Sequence, residues 1–109
     1  MTDHTTALPD LDLVSVERRL RGQLERTEGQ LVELEGALSD MLRAHDSIQE
    51  DEDDMRRVVD AVRSDMRQTA RALERIERGR YGRCVTCGSA IRPERLEAIP
   101  TADHCTACA

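Results

Sequence analysis

Apolar residues recur at alternating spacings of four and three along two stretches of the chain. The first run is Leu20, Leu24, Thr27, Leu31, Leu34, Leu38 and Met41, and the second is Met55, Val59, Val62, Met66, Thr69, Leu73 and Ile76. This alternation is the a and d pattern of a coiled coil, with one Thr in each seam. The intervening positions are mostly Glu, Arg, Asp and Gln, as a solvated helix face requires. The pattern predicts two amphipathic helices of about 40 Å each at about 1.5 Å per residue.

The two runs are equal in length and separated by a short gap, which predicts an antiparallel coiled-coil hairpin over residues 15–79. Two registers pair the a positions of one helix with the d positions of the other. One places Met41 opposite Val59, and the other places Leu38 opposite Met55. The pattern does not choose between them. Both put the tip of the hairpin near residues 44–52, where no Pro or Gly marks a turn.

The segments outside the hairpin are predicted from composition and from helix stop signals. Residues 1–14 are polar and aperiodic, and they read as a disordered lead. Gly79 is a suitable residue to end the second helix. Residues 80–109 form a separate head, in which residues 91–97 are predicted to be a short helix with Pro93 in its first turn.

Composition narrows the classes of function. The chain has no Trp, no Phe and a single Tyr, while 35% of its residues are charged and its net charge is −6. All of its cationic side chains are Arg. An acidic chain is poorly suited to bind nucleic acid through phosphates. The sequence shows no apolar run of about 20 residues and no signal peptide, so a cytoplasmic location is predicted.

Four cysteines supply the most specific chemistry. They form two Cys-x-x-Cys pairs, Cys84 with Cys87 and Cys105 with Cys108, separated by the seventeen residues 88–104. Each pair directs two thiolates of a tight turn at one ion, and two pairs complete the tetrahedron of sulfur ligands that zinc favours. The spacing therefore predicts one zinc ion. Because four thiolates close its coordination shell, the zinc is structural rather than catalytic.

Other interpretations of the cysteines and histidines are weaker. Disulfides are disfavoured in a reducing cytoplasm, and a redox Cys-x-x-Cys belongs beside βαβ patterning, which the sequence lacks. His104 precedes Cys105 and competes as a ligand, but four sulfurs already fill the shell. His4, His45 and His104 are scattered, and no Ser/His/Asp set is apparent. The chain is therefore predicted not to be an enzyme.

The predicted tip is strongly acidic. Five consecutive acids span residues 50–54, and Asp46 precedes them. One interpretation is a solvated cap, because acids in the first turn of a helix favour its macrodipole. The other is that a long rod carries negative charge to a cationic or metal-bearing site. Composition and spacing do not identify such a site.

The end of the chain resembles the DksA/TraR family of zinc-finger transcription regulators. The resemblance covers residues 72–108 and rests on three motifs: Gly79-x-Tyr81-Gly82, Cys84-x-x-Cys87-Gly88 and Arg95-Leu96-x-Ala98-x-Pro100-x-Ala102. It implies a monomeric bacterial regulator that binds RNA polymerase rather than promoter DNA. In this family the coiled coil enters the secondary channel, and acids at its tip approach the catalytic Mg²⁺ ions.

The resemblance also implies roles for particular residues. Asp46, Asp51 and Asp54 are the tip acids that match the family best, although its Asp-x-x-Asp-x-Ala pattern is not present as such. Arg92 and Arg95 are candidates for contacts with the polymerase rim. Both arginines are equally compatible with simply offsetting the negative charge of a zinc ion held by four thiolates.

Two further expectations concern ligands and partners. Members that bind ppGpp tend to carry a basic residue before the Pro and another after the last Cys, whereas this chain has Ile99 and Ala109 there. A ppGpp site is therefore not predicted. The alternative to a polymerase regulator is a coiled-coil zinc-ribbon adaptor that binds another protein partner.

Overall fold

The computed structural model describes residues 12–44 and 48–109, which contain three helices: α1 (Leu13–Ala44), α2 (Gln49–Glu77) and α3 (Pro93–Ala98). α1 and α2 pack against each other in an elongated body of 64 × 27 × 20 Å. The four cysteines gather beyond the end of α2. The predicted fold class, a helical hairpin followed by a small four-cysteine head, is confirmed. None of the helices in the described part of the chain has the length and apolar character needed to cross a membrane.

α1 begins at Leu13, two residues before the predicted boundary at Ser15, because Asp12 caps it. The Asp12 carboxylate accepts hydrogen bonds from the backbone N–H groups of Val14 and Ser15, at 3.1 and 3.3 Å, and from the Ser15 hydroxyl at 2.9 Å. These bonds satisfy N–H groups that a helix start leaves unpaired. The hydrogen bonds from Ser15 lower the pKa of Asp12. Residues 1–11 of the predicted disordered lead lie outside the described part.

The hairpin adopts the register that places Leu38 opposite Met55. α1 ends at Ala44 and α2 begins at Gln49, so the two helices are placed symmetrically about residue number 46.5, as this register requires. Gln23 Nε2 donates a hydrogen bond to Thr69 Oγ1 at 3.3 Å, so these residues lie at nearly the same height along the rod. The other register would separate them by about 12 Å at about 1.5 Å of rise per residue.

The two seam threonines face the opposite helix, as the heptad pattern predicts. Thr27 is 9% exposed and Thr69 is 0% exposed. Each hydroxyl donates to a backbone carbonyl one turn earlier, from Thr27 to Gln23 at 2.7 Å and from Thr69 to Asp65 at 2.9 Å. Both buried hydroxyls are therefore satisfied, which removes most of the cost of burying them.

The tip is shorter than residues 44–52. α1 ends at Ala44, α2 begins at Gln49, and Ile48 is its N-cap residue without a side-chain hydrogen bond. Residues 50–52 therefore lie in the first turn of α2 rather than in the connection. Residues 45–47 lie outside the described part, so the structure says nothing of the position of Asp46.

α2 ends where the sequence predicts, through a Schellman motif at Gly79. The Gly79 N–H donates to the Ile76 carbonyl at 3.1 Å, and the Arg80 N–H donates to the Arg75 carbonyl at 2.8 Å. The motif requires a left-handed residue, and Gly79 has φ +70°. The chain therefore leaves α2 abruptly and turns back along the base of the rod.

The head shares one hydrophobic core with the base of the rod. This basal core consists of Leu20, Ala72, Leu73, Tyr81, Ile91, Leu96 and Ala102. Arg19 of α1 also donates to the Glu97 carbonyl at 3.2 Å. A second cluster, the distal core, lies further along the hairpin and consists of Leu31, Val59 and Val62. The head is thus packed onto the base of the two long helices rather than standing apart from them.

Candidate metal centre

The first Cys-x-x-Cys turn is built by backbone hydrogen bonds and a glycine. The Gly88 N–H donates to the Cys84 carbonyl at 2.9 Å, and the Cys84 N–H donates to the Ser89 carbonyl at 2.8 Å. Gly88 has φ +75°, a conformation that residues with a Cβ rarely adopt. The chain therefore folds back tightly enough for Cys84 and Cys87 to face the same point.

The second turn closes in the same way and is tied to the first. The N–H groups of Cys108 and Ala109 donate to the Cys105 carbonyl at 3.1 and 2.9 Å. The Val85 N–H donates to the Asp103 carbonyl at 2.8 Å. This last bond joins the two turns, so all four sulfurs meet between them.

The sulfur atoms of Cys84, Cys87, Cys105 and Cys108 lie within 4.8 Å of one another. The Sγ atoms of Cys87 and Cys105 are 3.7 Å apart, close to the edge of about 3.8 Å in a tetrahedron with Zn–S bonds of about 2.3 Å. All four cysteines are free thiols, so disulfides do not account for the cluster. The arrangement fits the predicted single structural zinc ion.

The surroundings favour the thiolate form of two of the cysteines, Cys84 and Cys87, and disfavour it for Cys108. Hydrogen bonds from the backbone N–H groups of Cys105 and Cys87 lower the pKa of Cys84 to about 6. Hydrogen bonds from the hydroxyl and N–H of Ser89 lower the pKa of Cys87. The sulfur of Cys105, followed by those of Cys87 and Cys84, raises the pKa of Cys108 to about 12. Zinc supplies the positive charge that lets the fourth thiol ionise beside the others.

His104 is a neighbour of the metal centre rather than one of its ligands. It is half-buried, and its Nδ1 is 2.8 Å from Asp103 Oδ1. The cluster of possible metal ligands in the described residues contains only the four cysteines. This agrees with the prediction that sulfur fills the coordination shell.

The two arginines predicted at the polymerase rim have different surroundings. Arg95 is half-buried, and its Nε donates to the His104 carbonyl at 3.2 Å, so it ties α3 to the second turn. Arg92 is exposed at the N-cap of α3. Of the two, Arg92 is the more exposed.

The acids of the tip also differ. Asp54 forms an ion pair with Arg57 on its own helix, and Asp53 lies 3.6 Å from Arg56. Asp51 is exposed in the first turn of α2 and has no ion-pair partner among the described residues. Asp51 is therefore more available for an outside contact than Asp54. All of these acids lie at the opposite end of the rod from the sulfurs.

Ile99 and Ala109 converge in space. Both line a cavity of about 300 Å³ at the base of α2, together with Arg71, Arg75 and Arg95. The cavity thus combines the apolar side chains of Ile99 and Ala109 with three arginines.

Sequence reasoning missed the contacts that join the head to the rod. Arg75 of α2 is 3.4 Å from the Thr101 carbonyl, and the ring of Tyr81 packs in the basal core with Leu20 and Leu73. The sequence marks Tyr81 as the sole aromatic residue and as a member of the Gly79-x-Tyr81-Gly82 motif, but neither feature shows what it contacts. An arginine that reaches a backbone carbonyl has no sequence signature.

Comparisons with known proteins agree with this geometry. Residues 79–109 match the family model of the prokaryotic dksA/traR C4-type zinc finger. The structure is similar to that of the transcription factor DksA2 from Pseudomonas aeruginosa, with a TM-score of 0.75 and 26% identity, covering 85% of this chain and 76% of that one. The sequence resemblance to the DksA/TraR family is thereby confirmed, in the finger by the family model and in the fold by the solved structure.

A second relative matches over a shorter stretch. An uncharacterized protein of Aquifex aeolicus (strain VF5) is 48% identical over 44 residues, which amount to 40% of this chain and 30% of the relative. The chain therefore matches less than a third of that relative's length.

Proposed function

We propose that this protein is a bacterial transcription regulator that binds RNA polymerase and acts through the secondary channel. The observation that carries the proposal is the combination of a dksA/traR-type finger with a hairpin similar to the transcription factor DksA2 over 85% of the chain. On this proposal the protein works in the bacterial cytoplasm as a binding protein, not as an enzyme.

The shape of the molecule supports this proposal. The body is 64 Å long and at most 27 Å wide, with the metal centre at one end and the acids at the other. A narrow rod of this length suits a deep, narrow channel in a partner. The shared basal core holds the rod at a fixed orientation to the head. When the head docks on the rim of a channel, the depth of the tip is thereby set.

The charge at the tip supports a role near metal ions. Glu50, Asp51 and Glu52 occupy the first turn of α2, and Asp51 has no ion-pair partner among the described residues. Carboxylates are hard oxygen ligands suited to Mg²⁺ and its hydration shell. On the proposal, Asp46 and Asp51 perturb the surroundings of the catalytic ions and so alter initiation complexes.

Photocrosslinking to core RNA polymerase of the source organism tests the proposal. A benzoylphenylalanine at Ile48, which is 63% exposed at the tip, should crosslink to polymerase segments that line the active site. The same probe at Val14, which is 64% exposed at the base, should crosslink only outside the channel. The proposal fails if the parent protein does not bind polymerase or if both probes label the same outer surface. In that case a coiled-coil adaptor for another protein becomes the better interpretation.

A further inference from the structure

A groove rich in arginine runs between the end of α2 and the first Cys-x-x-Cys turn. Its volume is about 440 Å³, and its lining includes Arg75, Arg78, Arg80, Arg83 and Val85. It opens beside the first turn, and neither Arg92 nor Arg95, the candidate rim contacts, lines it. The four guanidinium groups come from the C-terminal part of α2 and from the lead into the turn.

Two glycines form part of the wall of the groove. Gly79 and Gly88 line it, and both have positive φ, at +70° and +75°. A Cβ built at either position meets no atom within 4 Å, so the space above these residues is empty. The backbone turns that end α2 and shape the metal site therefore also line this groove.

Among the described residues, few acidic side chains neutralise the positive charge of the groove. Its lining holds four arginines and one acid, Glu74. Glu74 lies 3.7 Å from Arg78, with both side chains more than half exposed, so the pair is weak. Arg83 NH1 donates to the Gly88 carbonyl at 3.3 Å. Arg80 is exposed and has no ion-pair partner among the described residues.

Part of this charge offsets the metal centre. Zinc with four thiolates carries a net charge of about −2, and the buried Cys84 lies in the wall of the groove. Four arginines exceed that charge. Arg78 is the C-cap residue of α2, Arg80 follows Gly79, and both residues are exposed. A concentration of positive charge in a chain of net charge −6 favours an anionic partner at this place.

The apolar part of the lining indicates what kind of anion fits. Val85 is 58% exposed at the edge of the groove, directly after a metal ligand. Guanidinium groups bind carboxylates in a bidentate way, and Val85 offers an apolar contact beside them. Nucleic acid fits less well, because the acidic rod repels a polyanion and the groove has no aromatic side chain on which a base would stack.

We propose that this groove docks an acidic protein segment in which carboxylates flank an apolar side chain. The identity of the partner rests on the proposed function: the segment belongs to the surface of RNA polymerase around the entrance of the secondary channel. The groove then holds the head on the rim of the channel. Because the head and the rod share the basal core, the rod points into the channel. In the complex, the guanidinium groups of Arg78 and Arg80 bind the carboxylates of the partner segment.

The test compares two double variants of the zinc-loaded full chain. R78Q/R80Q removes two charges from the groove, and R18Q/R21Q removes two exposed charges from α1 at the same end of the rod. The variants are matched, because Arg78 pairs with Glu74 and Arg21 pairs with Glu17 at the same helical spacing. Zinc content and far-ultraviolet circular dichroism establish that both variants are folded.

The first measurement uses a fluorescent peptide of alternating Glu and Leu, with a Gln and Leu peptide as the uncharged comparison. The parent should bind the acidic peptide, R78Q/R80Q should bind it at least about fivefold more weakly, and R18Q/R21Q should stay within about twofold. Equal binding by the two variants overturns the proposal. Tighter binding of a short single-stranded DNA, lost in R78Q/R80Q, overturns it in favour of a nucleic-acid surface.

The second measurement uses core RNA polymerase and separates the two proposals. Weaker binding by R78Q/R80Q than by R18Q/R21Q, diminishing as salt is added, supports the groove as the rim contact. If polymerase binds the parent and R78Q/R80Q alike, the rim assignment is wrong while the proposed function stands. If polymerase does not bind the parent but the peptide result holds, the proposed function is wrong while the docking groove stands.

Discussion

The hydroxyl of Tyr81 donates a hydrogen bond of 2.8 Å to the carbonyl of Pro100. Both residues are buried, so this bond joins the lead of the finger to the segment that follows α3. The ring of Tyr81 packs among residues from the rod and the head. One side chain thus couples the metal-binding head to the helices that it orients.

Replacement of Tyr81 by Phe should lower the free energy of unfolding by about 1 kcal/mol, because the change leaves the buried Pro100 carbonyl without its donor. Urea denaturation of the zinc-loaded protein, followed by circular dichroism, measures the effect. An unchanged midpoint would mean that the carbonyl finds another donor and that the ring alone provides the coupling.

The contribution of Tyr81 should depend on pH in a defined direction. Burial raises the pKa of the phenol above its ordinary value of 10.0, against the opposing charges of Arg75 and Arg19. A raised pKa in the folded state means that the contribution is complete below pH 10 and is lost as the pH rises through the folded-state value. The stability difference between the parent and Y81F should therefore shrink only above about pH 10. A difference that already shrinks near neutral pH contradicts this assignment.

Removal of zinc should unfold the head and loosen the base of the rod while sparing its far half. The protein should contain one zinc ion per chain, and C84S should lose it, because folding of the finger is coupled to metal binding. In hydrogen exchange, amides around Leu20 and Leu73 should lose protection, whereas those around Val59 and Val62 should keep it. Uniform loss along the hairpin would show that the two cores unfold as one unit.

The two seam threonines should respond differently to Leu. T27L should raise the free energy of unfolding by about 1 kcal/mol, because an apolar side chain in a coiled-coil seam gains burial. T69L should gain less or lose stability, since Thr69 is 0% exposed and its hydroxyl accepts the hydrogen bond from Gln23. Thermal unfolding of both variants measures the two changes in stability. Equal increases would mean that the seam around Thr69 accommodates the larger side chain without strain.

Replacement of Asp46 and Asp51 together by Asn should separate action from binding. The variant keeps shape and hydrogen-bonding capacity but loses two charges, so affinity for polymerase should persist. Its effect on open-complex lifetime should fall about tenfold, equivalent to about 1.4 kcal/mol. D53N/D54N is the matched control, because Asp53 and Asp54 pair with arginines on their own helix. If D46N/D51N regulates as well as the parent, the acids only cap α2 and the rod acts by occupying space.

The sequence alone was sufficient for features that depend on neighbouring residues. The heptad seams predicted both helices, because burial at a and d positions is a local periodic property. Gly79 predicted the end of α2, because the left-handed turn there depends on a single residue. The two Cys-x-x-Cys pairs predicted the metal centre, because each short turn by itself brings two sulfurs together.

Only the tertiary structure decided features that depend on distant residues meeting. Both registers satisfied the heptad pattern, and the choice is seen in the contact between Gln23 and Thr69. The sequence separated the head from the hairpin without showing how they meet, whereas Leu20 and Leu73 join Ile91 in one core, because a small finger has too little apolar surface of its own. Nothing in the sequence indicates that the arginines of the groove belong to one surface. They form one surface only because the turn at Gly79 brings the end of α2 against the first cysteine pair.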